Sequence, residues 1–203
     1  MDQAAAMTRD GGLQLFLDLT EAAIAAGAVT PEQRTVAGKV FSALRDGAGQ
    51  VSRPEPQQVP GCRLLPEIFR NISAEAPPIA DVGAAVAALA PRLTWTRRKN
   101  ADAAGPNFYD GHANATVVGA GGLEERGDVW IGLTLMAPNL TYPEHNHPPE
   151  EIYLSLTPGE WWNARMDWTT PGLGGLIYNP HGIRHTMRSG DKPFLAVWCL
   201  PVG

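Results

Sequence analysis

Across residues 12–92 the apolar positions recur every three or four residues, as in LQLFLDLTEAAIAAG and VGAAVAALAPRL. That is the period of helices burying one face. The run TPEQRTVAGKVFSALRDG carries a full start signal, with Thr30 as N-cap, Pro31 in the first turn and Gln33 positioned to close a capping box. Gly47 is a suitable stop, and QVSRPEPQQVPG holds too many prolines for a helix, so it reads as a linking loop. From about Leu93 the pattern changes to short apolar or alternating runs rich in Trp, Val, Ile and Thr: RLTWTRR, NATVVGA, DVWIGLTLMA, EIYLSL, GGLIYN and PFLAVWCL. Regularly spaced short strands separated by Gly, Pro, Asn and Asp predict a β-sandwich or barrel. The expected architecture is therefore mainly β: a helical N-terminal extension over residues 1–92, packed on a β-barrel over residues 93–203. The helices would cover one barrel face or mediate a homodimer, and the pattern does not choose.

Composition narrows the function classes. The chain has 203 residues and a formal charge of -5, and without clustered Lys and Arg it is no electrostatic binder of nucleic acid. The triplet Arg97-Arg98-Lys99 reads as a solvated turn. Cys62 and Cys199 lie far apart without metal-type spacing, which predicts free thiols in a reducing compartment. No run approaches about 18 apolar residues and the first thirty residues lack a basic-then-apolar leader, so the expected setting is cytoplasmic, away from membranes.

The candidate chemistry lies in the β half, where four of the five histidines fall between positions 145 and 185. Imidazole nitrogen with carboxylate oxygen suits Zn, Fe, Mn, Co or Ni rather than calcium. In HNHPPEEIY, strand alternation puts Glu151 and Tyr153 on one face while Ile152 and Leu154 pack on the other. Pro148 and Pro149 interrupt the strand, so parity does not carry back to His145 and His147. His181, between Pro180 and Gly182, is expected at the surface. His112, in GHANAT, is open between core and pocket wall. Of the pair Trp161-Trp162, alternation points at most one inward, for packing or as an entrance lip.

His145, His147 and Glu151 form H-x-H-x3-E, and Gly174, Pro180, Gly182 and His185 form G-x5-P-x-G-x2-H. Together these resemble the two signature motifs of the cupin superfamily, a small jelly-roll barrel in which three histidines and a glutamate face one metal. Asn139 and Ser189 replace a glycine and an asparagine of those motifs, and the glycine after the glutamate comes one position late, at Gly159. The departures bear on turns more than on ligands. The wording around the ligands, from GHANATVVG through LTYPEHNHPPEEIYLSLTPGEWW to YNPHGIRHTMRSGDKPFLAVW, is similar to the bacterial cupin-type dimethylsulfoniopropionate lyases of the DddQ group, which release dimethyl sulfide and acrylate.

That resemblance implies one divalent transition metal held by His147, Glu151 and His185, with His145 as a further ligand or a lining residue. It also implies Tyr153 and Tyr142 as candidates for proton abstraction and substrate positioning. The chemistry is coherent: a Lewis acid on the substrate carboxylate stabilises charge developing at the alpha carbon, and a nearby cation favours a phenolate base. A sulfonium is held by aromatic faces, each worth roughly 0.5 to 2 kcal/mol; Trp130, Tyr178 and Trp198 are the candidates alongside Tyr142. Two other classes share the motifs, a cupin dioxygenase and a non-catalytic binding cupin. The second would need a partner domain, and the N-terminal helices show no basic recognition helix.

Overall fold

The computed structural model describes residues 9–202. Helix α1 (Gly11–Gly27) starts where the Asp10 carboxylate accepts from the Leu13 N–H at 3.1 Å. Helix α2 (Pro31–Asp46) starts as the pattern predicts: the Thr30 hydroxyl accepts from the Gln33 N–H at 3.2 Å, and the Gln33 carbonyl accepts from the Thr30 N–H at 3.1 Å. A two-residue strand β1 (Gln50–Val51) precedes the proline-rich loop, followed by α3 (Leu65–Ile72) and α4 (Ile79–Leu89).

After a short helix α5 (Pro106–Gly111) come β2 (His112–Val118), β3 (Glu124–Glu125), β4 (Val129–Met136), β5 (Glu151–Ser155), β6 (Gly159–Asn163), β7 (Met166–Thr169), β8 (Leu176–Asn179), β9 (His185–Ser189) and β10 (Phe194–Pro201). They form a seven-stranded sheet in the order β1-β3-β2-β4-β10-β5-β8 and a three-stranded sheet in the order β7-β6-β9. Pairing is antiparallel except between β2 and β3.

Period-two alternation gives the large sheet two apolar faces with different partners. Ala113, Ala115, Ile131, Leu133, Leu135, Ile152, Leu154, Leu195 and Val197 join one buried cluster with Phe16, Ile24, Val36, Val40 and Val86 of the helices. The opposite face contributes Met136, Tyr153, Phe194 and Ala196 to a second cluster, completed by Trp161 and Met187 of the small sheet. The helices thus cover the outer face of the large sheet, and the interior between the two sheets is left for the site.

Two expectations need correction. RLTWTRR is not a strand: Thr94 and Thr96 make single bridges to Gln57 and Asn114, and the chain then turns helical at residues 101–104 and 106–111. Nor is Arg97-Arg98-Lys99 simply a solvated turn. The Arg97 guanidinium donates to the Tyr109 carbonyl at 2.7 Å and the Asp110 carboxylate at 2.9 Å, while Arg98 donates to the Pro143 carbonyl at 3.0 Å.

A charged group is buried in the outer layer. Glu124, fully shielded, accepts from Arg9 at 2.5 and 3.1 Å, from the Gly49 N–H at 2.8 Å and from Arg126 at 3.1 Å. Burial pushes its carboxyl upward, but the Arg9 and Gly49 donors outweigh that and hold it below the ordinary glutamate value. A depressed carboxylate stabilises the fold above the ordinary value of about 4.3 and loses that contribution as the pH falls further. Glu124→Ala, which strands two guanidinium partners, is expected to cost about 3 kcal/mol in urea unfolding; an unchanged midpoint would show the cluster to be energetically idle.

Candidate metal centre

His145 and His185 sit opposite one another, exchanging backbone N–H···O bonds at 3.1 and 2.9 Å. His147 follows two residues later, its carbonyl accepting from the Gly182 N–H at 3.1 Å. The turns that bring these segments together match the motif positions. Gly182 has φ 65°, and Asn139, standing where the motif has glycine, has φ 58°, a conformation asparagine tolerates better than other side-chain-bearing residues. Ser189, in the asparagine position, ties the same turn: its hydroxyl donates to the Ala137 carbonyl at 2.7 Å and accepts from the Leu140 N–H at 2.9 Å.

Each of the three rings is fixed by its own backbone. Nδ1 of His145 lies 3.1 Å from the Pro143 carbonyl, Nδ1 of His147 2.9 Å from that of Pro149, and Nδ1 of His185 2.9 Å from that of Ile183. A carbonyl only accepts, so Nδ1 carries the proton and Nε2 keeps its lone pair, the arrangement of a metal ligand. One nitrogen from each ring lies within 4.8 Å of the others. Oε2 of Glu151 is 3.3 Å from Nε2 of His185 and 3.5 Å from Nε2 of His147, and it accepts from the Asn179 amide at 3.2 Å. The buried Nε2 of His185 has no hydrogen-bond partner. Three clustered imidazole lone pairs, with a carboxylate beside two of them, fit a divalent cation of the borderline class.

Burial, with His185 alongside, lowers His145 to about 4, keeping it a neutral imidazole. Burial would lower His147 too, but the neighbouring Glu151 carboxylate raises it above its ordinary value. Burial pushes the Glu151 carboxyl up, yet the flanking imidazoles hold it well below the usual carboxylate range. The Tyr153 phenol is driven up by burial and then by the Glu151 charge. Tyr142 is raised by burial, with the Asn114 donor pulling the other way.

A cavity of about 190 Å³ opens onto this centre, lined by Asn114, Trp130, Thr134, His145, His147, Glu151 and Tyr153, with Tyr142, Trp198 and Leu200. Register explains the lining: Asn114 pairs with Thr134, and Trp198 lies between Gly132 on one side and Tyr153 on the other. Gly132 carries no side chain because a Cβ there would collide with the Trp198 indole and the Ala115 carbonyl. Trp130 remains 39% exposed at the mouth.

Of the residues expected at the site, the structure brings together His145, His147, Glu151, His185, Tyr142, Tyr153, Trp130 and Trp198. Tyr178 is not among them. It pairs with Ile152, on the opposite face from Tyr153, and donates its hydroxyl to Glu150 at 2.8 Å, beside the Lys39–Glu150 ion pair of 2.5 Å. His112 does not line the cavity either: Nδ1 bonds the Phe108 carbonyl at 2.7 Å, Nε2 accepts from the Arg98 N–H at 2.9 Å, and the ring stacks on Phe108. His181 is exposed, and of the tryptophan pair Trp161 is buried while Trp162 is half-buried. Asn114, Thr134, Asn179 and Arg98, whose guanidinium lies 5.1 Å from the Tyr142 ring centre, were not among the residues expected at the site. Alternation in HANATVV and VWIGLTLM puts Asn114 and Thr134 on definite strand faces, but only register makes them neighbours.

Comparison with known proteins adds a family. The dimethylsulfoniopropionate lyase family model matches residues 32–196. Dimethylsulfoniopropionate lyase DddQ of Ruegeria pomeroyi is 30% identical over 161 residues, spanning 74% of this chain and 78% of that one. The crystal structure of DddQ from the same organism superposes with a TM-score of 0.71 at 24% identity, covering 95% of this chain and 92% of the other. A chain from the crystal structures of the lyases RdDddP and RnDddQII gives 0.70 at 18% identity, covering 94% and 92%. The fold is accordingly the cupin fold with a helical N-terminal extension.

Proposed function

This chain belongs to the dimethylsulfoniopropionate lyase family, and from that premise we propose that it cleaves dimethylsulfoniopropionate to dimethyl sulfide and acrylate. The observation that carries the reading is the cluster of His145, His147 and His185, with Glu151 against two of them, at a small cavity that two buried phenols and two indoles also line. The reaction class is that of a carbon–sulfur lyase. A base takes the proton alpha to the carboxylate; the released pair forms the Cα=Cβ bond, and the Cβ–S pair leaves with sulfur as neutral dimethyl sulfide.

His147, Glu151 and His185, with His145, would hold one divalent ion of the Zn, Fe, Mn, Co or Ni class. Bound there, the ion supplies Lewis acidity toward the substrate carboxylate. Tyr153, buried beside Glu151, is assigned the alpha proton, and Tyr142 orients the substrate from the neighbouring wall. The indoles of Trp130 and Trp198 offer π faces to the sulfonium, a cation best held without a competing anion. The unpaired, buried Cys62 and Cys199 support a reducing, cytoplasmic setting.

Headspace analysis tests the proposal. Metal-replete protein given dimethylsulfoniopropionate is expected to release dimethyl sulfide equally with and without oxygen. Oxygen consumption without dimethyl sulfide would replace the lyase with a dioxygenase, and no turnover at all with metal bound would leave a binding cupin.

A further inference from the structure

A polar relay runs along the cavity wall behind Tyr142. Thr134 on β4 donates its hydroxyl to Oδ1 of Asn114 on β2 at 2.8 Å, and Nδ2 of Asn114 donates to Oη of Tyr142 at 2.9 Å. Thr134 is buried, and both side chains face the cavity from a directly paired position. A phenol has one proton to give. With Asn114 presenting an N–H to the oxygen, Tyr142 cannot spend that proton on Asn114. The hydroxyl must turn it away from the relay. The ring itself cannot drift to find another partner, being held edge-on to Phe108, with centroids 5.4 Å apart, and under Arg98.

We propose that Asn114, its amide anchored by the Thr134 hydroxyl, is a positioning residue that aims the Tyr142 hydroxyl proton at the substrate. The proposal rests on the lyase reading for its substrate but not for its geometry. Thr134 contributes by anchoring the far end of the amide, so that the Nδ2 donor stays within reach of the phenol oxygen.

A double-mutant cycle measures the link. Asn114→Ala is expected to raise KM roughly ten- to hundredfold while kcat changes much less, and to have no further effect in the Tyr142→Phe background. Thr134→Val should reproduce part of the KM rise, and Thr134→Ser, which keeps the hydroxyl, should recover most of it. Additive losses in the two backgrounds would overturn the proposal, as would wild-type KM in Asn114→Ala. A second measurement needs no turnover: fluorotyrosine placed at position 142 should shift its fluorine resonance in Asn114→Ala and Thr134→Val but little in Thr134→Ser. Absence of dimethyl sulfide from the wild type would sink the lyase reading, while the resonance alone would still decide the relay, an unmoved signal overturning it.

Discussion

His185→Ala is expected to lose metal and activity together. The residue is 1% exposed, its Nδ1 is tied to the Ile183 carbonyl, and its Nε2 is a buried nitrogen without a hydrogen-bond partner. Alanine leaves the two remaining rings and a carboxylate around a hole, and removing even an outer partner of a metal site commonly costs 10- to 100-fold in affinity or activity. Loss of a direct ligand should exceed about a hundredfold. Metal analysis after dialysis, paired with headspace assay of the same sample, provides the check. Activity persisting in protein shown to be metal-free would overturn the site.

Tyr153→Phe separates chemistry from assembly. The ring keeps its packing against Trp161, whose centroid lies 6.2 Å away, so the variant should fold and keep its metal. Only the oxygen is lost. If that oxygen takes the alpha proton, kcat should fall by about 10² to 10⁴, the usual worth of a positioned acid or base. The contrast with Asn114→Ala is diagnostic, since that substitution is expected to act mainly on KM. Full activity in Tyr153→Phe would move the base to Tyr142.

The ligand strand was legible because its information is local. Alternation alone separates Glu151 and Tyr153 from Ile152 and Leu154, and the capping box at Thr30 and Gln33 needs only four residues to be seen. What failed needed a partner from elsewhere. Tyr178 looks like any other aromatic near the motif until its pairing with Ile152 sets its face. Strand β1, two residues long, exists only because Glu124 and Glu125 lie beside it. Asn114 and Thr134 are unremarkable polar residues in separate strands, twenty positions apart. Pairing register, which decides all three, is written in the whole sheet and in no single segment.

The main-chain tethers on the three imidazoles limit how the site can be redesigned. A cysteine or aspartate at 145, 147 or 185 would offer an acceptable donor to many transition metals, yet neither has a ring N–H to hold it to the local carbonyl. Each exchange therefore removes an anchor as well as changing a ligand. Retuning metal preference by swapping donors would also free the new side chain to rotate away from the site, and a new tether would have to be built into the same variant.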